Sequence, residues 1–194
     1  MFQAGTDSKV EDAEVMFMPI MDMGAMMHTT PVENPDWDAD MDAYMGAATF
    51  IMPSTAGDWL FNLIANQPGE VADTISFPIS VEAKTEARLY SFVSADDSST
   101  SYFVALKEPM QPKVGLNDFE VMIYRRESMM SFPDATDFQV EIEPTMPSMG
   151  HGSPDNINPV HVANGLYAGK VNFTMSGHWK VAVTLRNSTW CPPR

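Results

Sequence analysis

Hydrophobic and polar positions alternate in short runs along this chain. The clearest are Glu14-Val15-Met16-Phe17, Thr74 to Val81, Phe119 to Tyr124, Phe138 to Ile142 and Lys180 to Leu185. A period of two sends successive side chains to opposite faces of a pleated strand, so each run predicts a half-buried strand. Leu89 to Val93 and Tyr102 to Leu106 are further strand candidates. Proline removes an amide donor and clashes with a preceding helical turn, and 15 prolines spread through the chain work against long helices. Asn66-Gln67-Pro68-Gly69 and Ala95-Asp96-Asp97-Ser98-Ser99 read as strand connections. The expected fold is all-β, made of two tandem immunoglobulin-like antiparallel β-sandwich domains.

The tandem arrangement comes from an internal repeat. Pro19, Met21, Met23, Gly24, His28, Tyr44, Phe50, Met52 and Gly57-Asp58-Trp59 recur in order as Pro144, Met146, Met149, Gly150, His151, Tyr167, Phe173, Met175 and Gly177-His178-Trp179. Recurrence of these residue types at nearly constant spacing points to a duplicated module. The expected domains are residues 1–83 and 84–194, divided near the polar Glu82-Ala83-Lys84-Thr85-Glu86. The second copy has Gly115-Leu116-Asn117-Asp118-Phe119 leading into a strand, whereas the first begins too late to contain its equivalent. The first sandwich is therefore expected to lack its opening strands, leaving an edge to be completed by trimmed residues or by homodimer pairing.

Charge and composition narrow the function. A formal net charge of −15 with only 11 Lys and Arg argues against nucleic acid, which needs clustered cations to neutralise phosphates. No run of 18 apolar residues and no basic-then-apolar leader is visible in the sequence. Cys191 is the sole cysteine, so no intrachain disulfide forms. No Gly-x-Ser-x-Gly elbow accompanies His28, His151, His161 or His178, and no phosphate-binding glycine loop is present. The expectation is a protein that is not an enzyme. Asp36-Trp37-Asp38-Ala39-Asp40-Met41-Asp42 begins like a calcium loop, but Met41 stands where glycine is required and Ala47 where the closing Glu belongs. A solvated acidic loop is expected there.

The second copy resembles a known family. Pro112-Lys113-Val114-Gly115-Leu116-Asn117, Met146-Pro147-Ser148-Met149-Gly150-His151-Gly152, Gly165-Leu166-Tyr167 and Phe173-Thr174-Met175-Ser176-Gly177-His178-Trp179 are similar to the YtkA-like and FixH-like domains. The resemblance covers most of residues 84 to 190. It implies an immunoglobulin-like sandwich outside the cytoplasm, in the periplasm or cell envelope, connected with copper handling and oxidase assembly. The first copy departs from the pattern: the proline of the Met-Pro-x-Met-Gly-His string is lost, and Asp58 replaces His178.

Thioether sulfur is a soft, neutral ligand that suits Cu(I) better than zinc or the hard divalent ions. Met146, Met149, His151 and Met175 are the first-choice metal ligands, with Met21, Met23, His28 and Met52 second and His178 and Trp179 as supporting residues behind the ligands. The alternative for these methionines is packing, where flexible thioethers fill gaps beside aromatic rings. The expected function is a copper(I) carrier or buffer serving another extracytoplasmic protein. The competing expectation is a metal-free interaction scaffold of the envelope.

Overall fold

The computed structural model describes residues 9–83, 88–95 and 98–187, and every regular element among them is a β-strand. The expected all-β class is what the chain adopts. It divides into two compact units, Met1–Thr85 with Glu127–Phe132, and Glu86–Arg126 with Pro133–Arg194. Within the first unit the Thr29 amide donates to the Met129 carbonyl at 3.0 Å, which ties the segment Glu127–Phe132 to it.

In the first unit β1 (Glu14–Asp22), β2 (Met27–His28), β5 (Asp58–Asn66) and β6 (Asp73–Ile79) form an antiparallel sheet in the order β2-β1-β5-β6. Register sets Phe17 opposite Leu63, Pro19 opposite Phe61 and Met21 opposite Trp59, so one face of the sheet is continuously apolar. Phe61 meets Phe17 edge-on at 4.9 Å and stacks on Phe77 at 5.4 Å. A hairpin of β3 (Val32–Asp38) and β4 (Ala43–Ala48) lies over β1. The acidic run expected as a loop is largely this hairpin: Asp36 to Asp38 end β3. Aspartate readily caps a turn through its own side chain. Here Asp38 Oδ1 accepts the Asp40 and Met41 amides at 2.9 and 3.0 Å, and Trp37 packs edge-on against Tyr44 at 5.2 Å.

The second unit is a two-sheet sandwich. β7 (Leu89–Val93), β8 (Ser101–Glu108), β9 (Gly115–Arg126), β12 (Ile157–Ala163) and β13 (Leu166–Phe173) make one sheet in the order β12-β13-β9-β8-β7. β10 (Phe138–Met146), β11 (His151–Gly152) and β14 (Lys180–Asn187) make the other, in the order β11-β10-β14. Phe119, Val121, Ile123, Val140, Ile142, Tyr167, Val171 and Phe173 fill the space between them. Alternate residues of β9 and β10 point inward, as their period of two requires. The Tyr167 phenol accepts the Phe138 amide at 3.0 Å and donates to the Ala135 carbonyl at 3.1 Å, so no polar atom of this ring is buried unpaired.

The sequence repeat is matched by a repeat of contacts. Tyr44 accepts the Ala13 amide at 2.8 Å as Tyr167 accepts that of Phe138. Asn34 Oδ1 accepts the Phe17 amide, and Asn158 Oδ1 that of Ile142, both at 3.0 Å. Pro35 and Pro159 follow these asparagines, and each crowds a glycine on the next strand, Gly46 and Gly169, where a β-carbon would come within 2.8 Å of proline atoms. One difference stands out. β13 is paired on both sides, by β12 and β9, whereas among the described residues β4 is paired by β3 alone.

Candidate metal centre

Each unit brings a methionine and a histidine together at the end of a strand. In the first, the inward series Val15, Phe17, Pro19 of β1 ends at Met21, and β2 sets His28 directly opposite it. The turn between them is held by the Asp22 carboxylate, which accepts the Gly24 amide at 2.7 Å, and by the Met23 amide donating to the Met26 carbonyl at 3.0 Å. Gly24 takes φ +77°, a conformation glycine adopts without penalty. Met21 and His28 are both fully buried, at 0% exposure.

Their polar atoms are ordered by one hydrogen bond. His28 Nδ1 lies 2.7 Å from the Thr29 carbonyl oxygen, which can only accept, so the ring proton sits on Nδ1. Nε2 faces Met21 Sδ at 3.2 Å, and in the neutral ring it is the nitrogen that carries the lone pair. The neutral imidazole presented through one fixed nitrogen is the form that ligates metals. Trp59 closes the pair, its ring edge-on to His28 at 5.2 Å and backed by Phe50 at 5.0 Å. The Trp59 indole donates to the Met52 carbonyl at 3.0 Å, which fixes the Met52 backbone beside the cluster. Met23 is half-buried and lies against Gly57, where a β-carbon would be 3.1 Å from Met23 Cγ.

The second unit repeats this arrangement with a shorter Met-to-His spacing. Met146 of β10 stands opposite His151 of β11, and the Met149 and Gly150 amides donate back to the Met146 carbonyl at 3.1 and 2.9 Å. His151 Nδ1 lies 2.8 Å from the Gly152 carbonyl, fixing the same tautomer as in His28. Trp179 is edge-on to His151 at 5.6 Å, donates to the Met175 carbonyl at 3.0 Å and packs on Phe173 at 5.6 Å. Met146 is buried and His151 half-buried, while Met149 and Met175 are exposed, at 62% and 40%. His178 is exposed.

Of the eight expected ligands, Met21 and His28 are brought into direct contact, and Met146 and His151 are brought opposite one another. Met52 and Met175 enter through their carbonyls, as anchors for the two tryptophans. Trp59, the wall of the first pair, belongs to the repeated triplet but was not among the residues expected at that site.

The donors present fit a soft monovalent ion. A nitrogen and a sulfur 3.2 Å apart lie within the span that bonds of roughly 2.0 and 2.3 Å to one metal allow. Thioether and neutral imidazole are uncharged ligand types, and thioethers favour Cu(I) or Ag(I). Among the described residues no three His, Cys, Asp or Glu side chains converge into a site of that kind.

Fold and side chains together define an all-β sandwich protein with an aromatic-walled methionine–histidine pair at the end of a sheet in each unit. Residues 96–184 match the family model described as YtkA-like, so this stretch is a YtkA-like domain. No curated protein and no solved structure matches the chain.

Proposed function

We propose that this protein binds Cu(I) at its methionine–histidine pairs and carries or buffers the ion for another protein outside the cytoplasm. The observation that carries this reading is the contact between His28 Nε2 and Met21 Sδ at 3.2 Å. With the ring neutral and its proton on Nδ1, this contact offers Nε2 and the thioether to a shared cation as two donors. The aromatic walls exclude water without offering a base to activate it, which suits holding an ion over hydrolysing a substrate. Because the arrangement recurs at Met146 and His151, two ions per chain are expected, with the more exposed second pair exchanging faster.

A Cu(I) titration against a calibrated competing chelator tests this, run on the intact chain and on Met21→Leu, His28→Gln, Met146→Leu and His151→Gln variants. Leucine nearly conserves the volume of methionine, so the fold should persist. The expected result is two equivalents bound by the intact chain and one lost when either pair is broken. No binding by the folded intact chain would sink the carrier reading and leave a metal-free envelope scaffold whose methionines are packing residues.

A further inference from the structure

Successive residues of a strand face opposite ways, and cross-strand partners share a face. In the first unit the inward face of β1 and β5 holds Met21, Trp59 and Phe61, so Met16, Met18 and Ile20 lie on the outward one with their partners Ile64, Asn62 and Leu60. Alternation predicts polar residues there, yet Met18 and Leu60 are 43% and 42% exposed and Met16 is exposed beside them. Asn62, at the centre, is spent within the sheet. Its amide donates to the Met18 carbonyl at 2.9 Å, and its side-chain oxygen accepts the Ser76 hydroxyl at 2.6 Å.

The second unit carries the ordinary pattern at the same positions. Aligned on Met21 with Met146 and on Trp59 with Trp179, the three outward pairs become Glu141–Thr184, Glu143–Ala182 and Thr145–Lys180. Arg186 adds an ion pair to Glu141 at 3.0 Å. The same strand pair therefore folds with a polar outer face, so folding does not demand the apolar one. Contiguous exposed apolar surface marks an interaction site, and thioethers adapt their shape to what they meet.

Towards Asp22 this face deepens into a cleft of about 520 Å³, a size typical of binding sites. Ile20, Leu60, Pro78 and Ile79 give it apolar walls. Asp22 and Asp58, directly opposite one another in register and both exposed, stand at its border. Among the described residues no cation pairs with either carboxylate. From Met16 to Ile20 the apolar rows run about 14 Å, and the carboxylates stand about 7 Å further on.

That layout fits a segment whose apolar stripe ends in a cation. A second copy, an anionic lipid surface or nucleic acid would bring more negative charge to a chain of net charge −15. We propose that the outward face of β1 and β5 binds a basic amphipathic segment of another polypeptide, with apolar side chains over Met16, Met18, Ile20 and Leu60 and a Lys or Arg between Asp22 and Asp58. This is the face of the sheet turned away from Met21 and His28, so the proposal does not depend on metal binding.

A dye-labelled amphipathic peptide of leucine and lysine is the probe, titrated with the intact chain by fluorescence anisotropy beside a serine–lysine peptide of equal charge. The leucine–lysine peptide should bind saturably and about ten-fold tighter than the serine–lysine one. Met18→Glu with Leu60→Lys installs the second unit's own residues at exposed positions without changing net charge, and should weaken binding about ten-fold. Asp22→Asn with Asp58→Asn should weaken it too and flatten its salt dependence, each variant keeping the parent's circular-dichroism spectrum. No binding, equal binding of the two peptides, or undiminished binding by either double variant would overturn the proposal. Sedimentation of the chain alone gives the remaining outcome: self-association abolished by Met18→Glu with Leu60→Lys would assign the face to a second copy and overturn it as well.

Discussion

A β-carbon at Gly177 would lie 2.9 Å from Met146 Cε, so the thioether of Met146, the strand partner of His151, is seated against bare backbone. Gly177 also holds φ +142°, which side-chain-bearing residues rarely adopt. Gly177→Ala should cost about 1–3 kcal/mol through backbone strain and displacement of the Met146 methyl. The companion change at Gly57 should cost more, since its β-carbon would meet the Asp22 carbonyl oxygen at 2.4 Å and backbone cannot swing aside as a methyl can. Urea denaturation of the two variants checks the order, and a Gly57→Ala protein as stable as the parent would contradict it.

Trp59 stands 5.2 Å from His28, close enough for its emission to report on that ring. Silver(I) shares the soft-ligand preference of Cu(I) without its air sensitivity. Titration with Ag(I) should shift or quench tryptophan emission to saturation, and the component lost in Trp59→Phe should also be lost in Met21→Leu. Identical titrations in all three proteins would place the ion elsewhere.

Tyr167 gives a test at alkaline pH. Burial pushes its phenol above the ordinary tyrosine value, against the lowering effect of the Phe138 amide it accepts. A raised folded value means that the stabilisation is complete below about pH 10, the unfolded value, and is lost as pH rises through the folded one. Tyr167→Phe leaves the Phe138 amide and the Ala135 carbonyl without this partner, a loss of about 1–3 kcal/mol at neutral pH. Its stability should fall less steeply above pH 10 than that of the intact chain, as thermal melts across pH 8 to 11 would show.

The acid side has the opposite sign. Lys170 hydrogen-bonds Asp118 and Arg186 hydrogen-bonds Glu141, and each cation holds its carboxyl below the ordinary range. Their contribution is present above the unfolded carboxylate values and lost as pH falls through the folded ones. Both pairs are exposed, so Glu141→Gln should change the acid midpoint only slightly, and molar salt should erase the difference.

The strands with strict alternation were legible because burial on one face enforces a period of two. Glu14–Phe17, Phe119–Tyr124, Phe138–Ile142 and Lys180–Leu185 lie within β1, β9, β10 and β14. The hairpins β3–β4 and β12–β13 were not, because Pro35, Pro159, Gly46 and Gly169 interrupt the apolar pattern where strand and glycine pack closely. The same reasoning separates the methionines. Met21 continues the odd inward series of β1 and Met146 the even series Val140, Ile142, Pro144 of β10, so parity alone marks both as buried. Met149 and Met175 lie beyond strand ends, where parity says nothing. Six residues separate Met21 from His28 where four separate Met146 from His151, and spacing alone could not rank the two pairs.

β2 is only two residues long, joined to β1 by the pairs Met21–His28 and Asp22–Met27, yet it supplies the imidazole that is sealed from solvent. An ion has no open path to that nitrogen while β2 is in place. Peeling away so short a strand breaks few bonds, so local opening there should be far cheaper than global unfolding. On the proposed Cu(I) reading the tempo of the first pair is set by the protein: loading and release would proceed at the fraying rate of β2, independent of ion concentration once that step limits. Lengthening or rigidifying two residues would then slow delivery even with every ligand atom unchanged.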